Sequence, residues 1–220
     1  MKTVQVYDFL GVAALDHGHV SKAVWCFEQA LELEGRRPDT TEHRWRMSMF
    51  LNDLGAALEG QARGREAMKA YRQAIKNQQV ALAREQGEPK YRYFLDLHFR
   101  NLGRLERTIG SPTEAAILAL ERQKLWPDDP DHLFEIACEL AQCLAADREK
   151  SMGNSERSLE RSRYADSAIT SLKRALALGL SNPNRVVNDP NLGPLRSLVD
   201  LGGLLLPKTP ASDSSGKETR

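Results

Sequence analysis

Aromatic residues make up only 6% of this 220-residue chain, and cysteine occurs three times. No stretch reaches the roughly 18 consecutive apolar residues that a membrane-spanning helix requires. Scarce aromatics beside abundant Ala, Leu, Arg and Glu favour helix over sheet. Three cysteines, Cys26, Cys138 and Cys143, do not make a disulfide framework. They read as small core residues of a reducing compartment. Cys138 and Cys143 are five apart, which sends them to different faces of a helix and argues against a zinc pair. An excess of one charge is missing too: Lys plus Arg is 31 and Asp plus Glu is 30. That balance speaks against sequence-independent nucleic-acid binding, which needs a basic surface. Glycine-rich phosphate loops, HExxH and Gly-x-Ser-x-Gly are all absent. The expectation is a chain with no catalytic residues, no cofactor and no metal. His17-Gly18-His19 reads as an inter-helix turn rather than a metal site. Residues 1–18, interrupted by Asp8, read as an amphipathic helix rather than a signal peptide, so a cytoplasmic location is expected.

What is present is a repeat. Leu10-Gly11, Leu54-Gly55 and Leu102-Gly103 share a Leu-Gly pair, and Ala23, Ala67 and Ala115 recur at the same two offsets, 44 and 48. Phe27 and Tyr71 follow their alanines by four residues, and Ala30 and Ala74 follow three later. Each position has a steric reason. A Gly on one helix and an Ala on its antiparallel neighbour let two backbones approach, while the Leu and the aromatic fill the space beside them. Spacing of Ala, aromatic and Ala at i, i+4 and i+7 puts all three on one helix face.

These residues resemble the tetratricopeptide pattern, W-x2-L-G-x2-Y followed by A-x3-F-x2-A and a Pro. The third unit keeps Ala115, Ala119 and Pro127 but has Arg122 in its last small position; a divergent fourth runs from Phe134 to Ala175. The resemblance implies an all-α, right-handed helix-turn-helix solenoid of about four units, over residues 3–38, 39–87, 88–127 and 129–180, within a single domain, 1–206. The period exceeds the family's, and helical composition continues on both sides of Gly35–Asp39 and Gly87–Pro89, so the helices are expected to be longer. Ser111-Pro112 reads as a helix start. Residues 147–163 read as a polar insertion, 188–206 as capping turns, and 207–220 as a disordered tail.

The C-terminal half is also similar to the region that follows the kinase domain in large bacterial Ser/Thr protein kinases containing tetratricopeptide repeats. The matching order is Ala137-Cys138, then Tyr164-Ala165-Asp166, then the segment Asp189 to Leu195. None of the catalytic motifs of a kinase is present. The resemblance implies a regulatory or docking remnant, or part of such a kinase, rather than a kinase activity.

The family resemblance further implies a non-enzymatic scaffold that binds a protein or peptide through a concave groove lined by the first helix of each unit. Positions carried over to that groove are Asp8, Asn52, Arg100, Arg104, Glu135 and Glu139, with Arg107 one turn on. Arg100, Arg104 and Arg107 share a helix face. One reading makes them a patch for an acidic or phosphorylated partner. The other pairs Arg100 with Glu135 and Arg104 with Glu139 as an internal ladder. The family's carboxylate clamp is not matched. Trp25, Trp45 and Trp126 read as packing residues. The uncapped first helix suggests self-association as a further possibility.

Overall fold

The structure, a computed structural model, describes residues 2–150 and 155–205. Among them there is no strand. Eight long helices follow in order: α1 (Lys2–Asp16), α2 (Val20–Gly35), α3 (Thr41–Gly60), α4 (Gly64–Arg84), α5 (Pro89–Ile109), α6 (Pro112–Leu125), α7 (Pro130–Lys150) and α8 (Ser155–Ala177). A single turn, α9 (Arg185–Asn188), and two 3-10 turns, Pro190–Leu195 and Gly203–Leu205, complete the order. The capping reading extends to Leu206, which lies outside the described residues, as do the tail 207–220 and the middle of the polar insertion, 151–154.

Each helix packs on the one before and the one after it, and the first helices of successive pairs also touch: α1 with α3, α3 with α5, α5 with α7. This is the arrangement of a tetratricopeptide-like array: α1, α3, α5 and α7 form one layer, and α2, α4, α6 and α8 the other. The lengthened helices are present, with 20 or 21 residues in each of α3, α4, α5 and α7. The shortest of the eight is α6, at 14 residues, and α1 and α2 have 15 and 16.

Local chemistry sets the helix ends. Thr40 is extended, and its hydroxyl accepts from the His43 amide at 3.1 Å, opening α3. Ser111 does the same for α6, accepting from the Glu114 amide at 3.4 Å with Pro112 in the first turn. Gly18, between α1 and α2, has φ +72°, a conformation in which a Cβ is strained. His17 and His19 therefore flank a turn.

The Leu-Gly and Ala-x3-aromatic positions make the contact their sizes suggest, but not in every unit. A Cβ on Gly11 would lie 2.7 Å from the Phe27 ring, and one on Gly55 2.6 Å from the Tyr71 ring. Ala23, Phe27, Ala30, Ala67, Tyr71, Ala74, Leu102 and Ala115 are all buried. Gly103 differs, because Ala119 stands where the aromatic was; a Cβ there would meet Leu118 Cβ at an ordinary 3.8 Å. Leu10 also departs from expectation: it is 38% exposed, whereas Leu54 is partly buried against the core. The difference follows from position. Leu54 has the first helix pair to pack on, while α1 has no described helix before it. Val6 and Phe9 on α1, at 52% and 74%, are left open for the same reason.

The apolar interior is not continuous. One cluster runs from Ala14 to Leu105 through α1–α5, and a second from Ala115 to Leu201 through α6–α8 and the final turns. The short helix α6 faces both, with Leu118 and Leu125 against the first and Ala115, Ala116 and Ala119 in the second. Arg122 stands at this junction with no exposed surface. Its guanidinium forks onto Asp96 of α5, Nε to Oδ1 at 2.9 Å and Nη2 to Oδ2 at 3.2 Å. It reaches Glu139 and Glu135 of α7 at 2.6 and 3.4 Å. Alignment through Ala67 and Ala115 puts Arg122 level with Ala74 and Ala30, so an arginine takes the place of the small residue at the joint between these two clusters; a third, smaller cluster of Val4, Ala30 and Phe50 lies apart from both.

Two outcomes are expected. Gly55→Ala should destabilise the chain by about 1–3 kcal/mol, because the Tyr71 ring fills the site, whereas Gly103→Ala should be neutral or gain up to about 1 kcal/mol in helix propensity. Arg122→Met should cost about 3–5 kcal/mol by leaving buried carboxylates without a partner. Arg122→Lys should recover little of that loss, since an ammonium does not fork onto Asp96. Urea unfolding followed by circular dichroism measures all four.

Candidate interaction surface

The inner layer, α1, α3, α5 and α7, carries the groove positions, and its polar side chains alternate in charge. Acids lie on α1 and α3, arginines on α5, and acids again on α7. The structure uses several of them internally. Asn52 is buried, and its Oδ1 accepts from Asn101 Nδ2 at 2.9 Å and lies 3.1 Å from His98 Nδ1, joining α3 to α5. With Asn101 already donating to that oxygen, the His98 contact is a hydrogen bond only if Nδ1 carries the proton. Burial holds His98 down to about 3, so its ring is neutral, and Nε2 faces the interior with no hydrogen-bond partner. The Asn52 head group thus ties two helices together.

The arginine stripe divides the same way. Arg104 pairs across to Glu59 of α3 at 2.7 Å, and the Tyr71 hydroxyl donates to the same carboxylate at 2.5 Å. The expected pairing of Arg104 with Glu139 is not made, because Arg122 reaches Glu139 and Glu135 from the outer layer first. A ladder does exist, but its rungs are Glu59–Arg104 and Arg122–Glu139. Arg107 is half-buried, with Nη1 enclosed and without a hydrogen-bond partner. Its charge opposes the burial that pushes the Cys143 thiol up to about 12. Arg100 is partly buried and makes no ion pair among the described residues. Glu135 keeps 45% of its side chain exposed despite the long contact to Arg122.

Asp8 and Asp53 lie at the α1–α3 end of this layer. Burial raises both carboxyls, and Asp8 adds repulsion at Asp53, which is pushed up to about 6 although Asn52 Nδ2 donates to it at 3.2 Å. Asp53 is not marked by the repeat pattern. Phe9 occupies the matching place in the first unit, so the repeat offset carried no signal for a charged residue there. Val12 and Ala56, one turn beyond Asp8 and Asn52 on the same helices, are exposed and carry no polar group.

The tryptophans are mixed. Trp45 packs against Phe94 at 5.9 Å beneath the Lys90 ammonium, and Trp126 stacks on His132 at 4.9 Å. Trp25 departs from the packing expectation, being half exposed with its ring set edge-on to Tyr7. The three cysteines are buried and free, and the described residues hold no cluster of His, Cys, Asp or Glu able to hold a metal. No described helix is long and apolar enough to cross a membrane.

Asp53 generates a pH signature. Its folded value of about 6 lies above its ordinary 3.8, so the folded chain binds this proton more tightly than the unfolded chain. Its contribution to stability therefore falls as pH rises from about 4 to 6, and the full penalty stands above 6. Asp53→Asn should raise stability by on the order of 1–2 kcal/mol at about pH 7.5, since each pH unit between the two values is about 1.4 kcal/mol and partial exposure screens some of it. The gain should vanish near pH 4, and thermal melts at both pH values check it.

Comparison with known proteins adds little to this geometry. No family model matches the chain, and no curated protein matches it. The resemblance to kinase C-terminal regions accordingly rests on residue order alone. Among solved structures the chain is similar to one described under "Functional Characterization of Pseudomonas Aeruginosa pilF", at 17% identity, covering 90% of this chain and 98% of that one with a TM-score of 0.31. A score that low carries neither fold nor function, and the reading of the array as tetratricopeptide-like stands on its own helix order and on the Gly11–Phe27 and Gly55–Tyr71 contacts.

Proposed function

We propose that this chain is a non-catalytic scaffold that holds an extended protein segment across the inner layer, with Arg100 receiving an acidic or phosphorylated group of that segment. The observation that carries this reading is the unequal use of the charges on that layer. Arg104 is opposed by Glu59 and the α7 acids by Arg122, while Arg100 makes no ion pair among the described residues, on a layer where Val12 and Ala56 are exposed. A guanidinium in that setting favours a carboxylate or phosphate, which it binds through paired N–H groups. Asp8 and Asp53, at the other end, favour a basic group on the same segment. Binding a cation there would lower the Asp53 carboxyl and relieve part of its burial penalty. A scaffold of this kind needs rigid register between its units, and the Asn52 and Glu59 contacts between α3 and α5 supply it.

The test uses a photo-crosslinking amino acid at Val12 or Ala56 on the inner layer, and at Lys173 on the outer layer as control. Crosslinks to one protein from both inner positions, lost with Arg100→Glu and absent at Lys173, are expected. Equal crosslinking from the outer position, or inner crosslinks indifferent to Arg100→Glu, would reject the groove. Arg100 is partly buried but makes no internal ion pair, so its reversal should cost no more than about 1 kcal/mol, and circular dichroism of the variant checks that the fold is retained.

A further inference from the structure

The shortness of α6 has a consequence on the opposite layer. Aligned through Ala67 and Ala115, the end of α6 at Leu125 falls level with Asn77, while α4 continues to Arg84. The last two turns of α4, about 10 Å of helix, and the beginning of α5 therefore run on without an outer-layer neighbour on that side. The space left is an open cleft of about 530 Å³. Leu82 of α4, Leu95 of α5 and Leu125 of α6 supply its apolar lining, and Arg92 and Lys124 stand on separate elements at its sides. Its lining includes amides but no carboxylate.

The two cations are differently held. The Arg92 guanidinium lies over the Trp126 ring at 5.3 Å, which keeps it on its wall without neutralising it. Lys124 pairs with Glu121 at 2.5 Å, but the side chains are 70% and 41% exposed, and such a pair is weak and easily exchanged. By contrast, Arg122 and Arg104 of the same pairs of helices are engaged by carboxylates of the fold.

We propose that this cleft on the outer layer is a second docking site, which takes a short amphipathic helix of a partner protein, with leucine-like residues against Leu82, Leu95 and Leu125 and carboxylates toward Arg92 and Lys124. The occupant is helical because the opening is the place that two further turns of α6 would fill between α4 and α5. It is acidic because both charged residues lining the cleft are positive. This site is separate from the inner layer, so it stands or falls independently of the groove.

Fluorescence anisotropy with the whole chain tests it. The probe is a labelled helical peptide with leucines at i, i+4 and i+7 and glutamates elsewhere; its counterpart has lysine at every glutamate. The glutamate peptide should bind saturably and lose affinity as salt rises. The double variant Arg92→Glu/Lys124→Glu should weaken it by about tenfold or more and bind the lysine peptide instead. Leu82→Asp should also abolish binding, and Arg100→Glu should leave it unchanged. Both reversed residues are exposed, so the double variant keeps its fold, and circular dichroism verifies this. No saturation up to about 1 mM peptide would overturn the proposal. So would equal binding of the two peptides, or indifference to the double reversal.

Discussion

Arg122 is the side chain on which the array depends. Two apolar clusters meet at α6, and neither extends through it. The link between them is a guanidinium with no exposed surface, forked onto Asp96 of α5 and reaching Glu139 and Glu135 of α7. Burying a charge is costly unless it is paired and hydrogen-bonded. Here burial works to lower the arginine's proton affinity, and Glu139 and Asp96 more than offset it, so the cation is firmly retained. The geometry also constrains the neighbours: α5 and α7 must hold three carboxylates within bonding distance of one planar group on α6, which fixes the relative rotation of the three helices more narrowly than apolar packing does.

That constraint shapes both surfaces. On the inner layer it engages Glu135 and Glu139, while Arg104 pairs with Glu59 and Arg100 makes no ion pair among the described residues. On the outer layer the short helix that carries Arg122 ends two turns before α4 does and leaves the cleft between Arg92 and Lys124. Internal pairing and external availability are thus two sides of one allocation of charge. Similar polar contacts mark the earlier joints. Glu34 of α2 is buried beside His43 of α3 at 3.5 Å. Gln78 of α4 accepts from the Ser48 hydroxyl of α3 and donates to the Tyr91 carbonyl of α5. Each joint carries a buried polar side chain from the outer layer, and at the third that side chain is a cation with no exposed surface.

The two ends of the stack differ. Val186, Leu192, Leu195 and Leu201 bury their side chains in the second apolar cluster, so the turns after α8 cover that end. At the other end Val6, Phe9 and Leu10 stay open on α1. The same residue type, a leucine of the Leu-Gly pair, is core in α5 and surface in α1, because α5 packs between described helices on both sides and α1 on one side only.

The residue order alone determined the helical class, the pairing of helices and the two close contacts of Gly11 with Phe27 and Gly55 with Tyr71. Those follow from local rules: side-chain size at helical spacing, and capping by Ser111 and Pro112. It did not determine which charges meet. The offset that aligned Arg104 with Glu139 measured position along the chain, whereas the ion pairs depend on the rotation of each helix and on the reach of a long side chain from another layer. Arg122 was legible as a break in the small-residue pattern, yet its three partners lie 13, 17 and 26 residues away on two other helices. Nor was the rise of the Asp53 carboxyl legible, since burial and the charge of Asp8 exist only once α1 and α3 are packed. Tertiary structure decided those matters because electrostatic pairing follows distance and desolvation in space, and a repeat in sequence specifies neither.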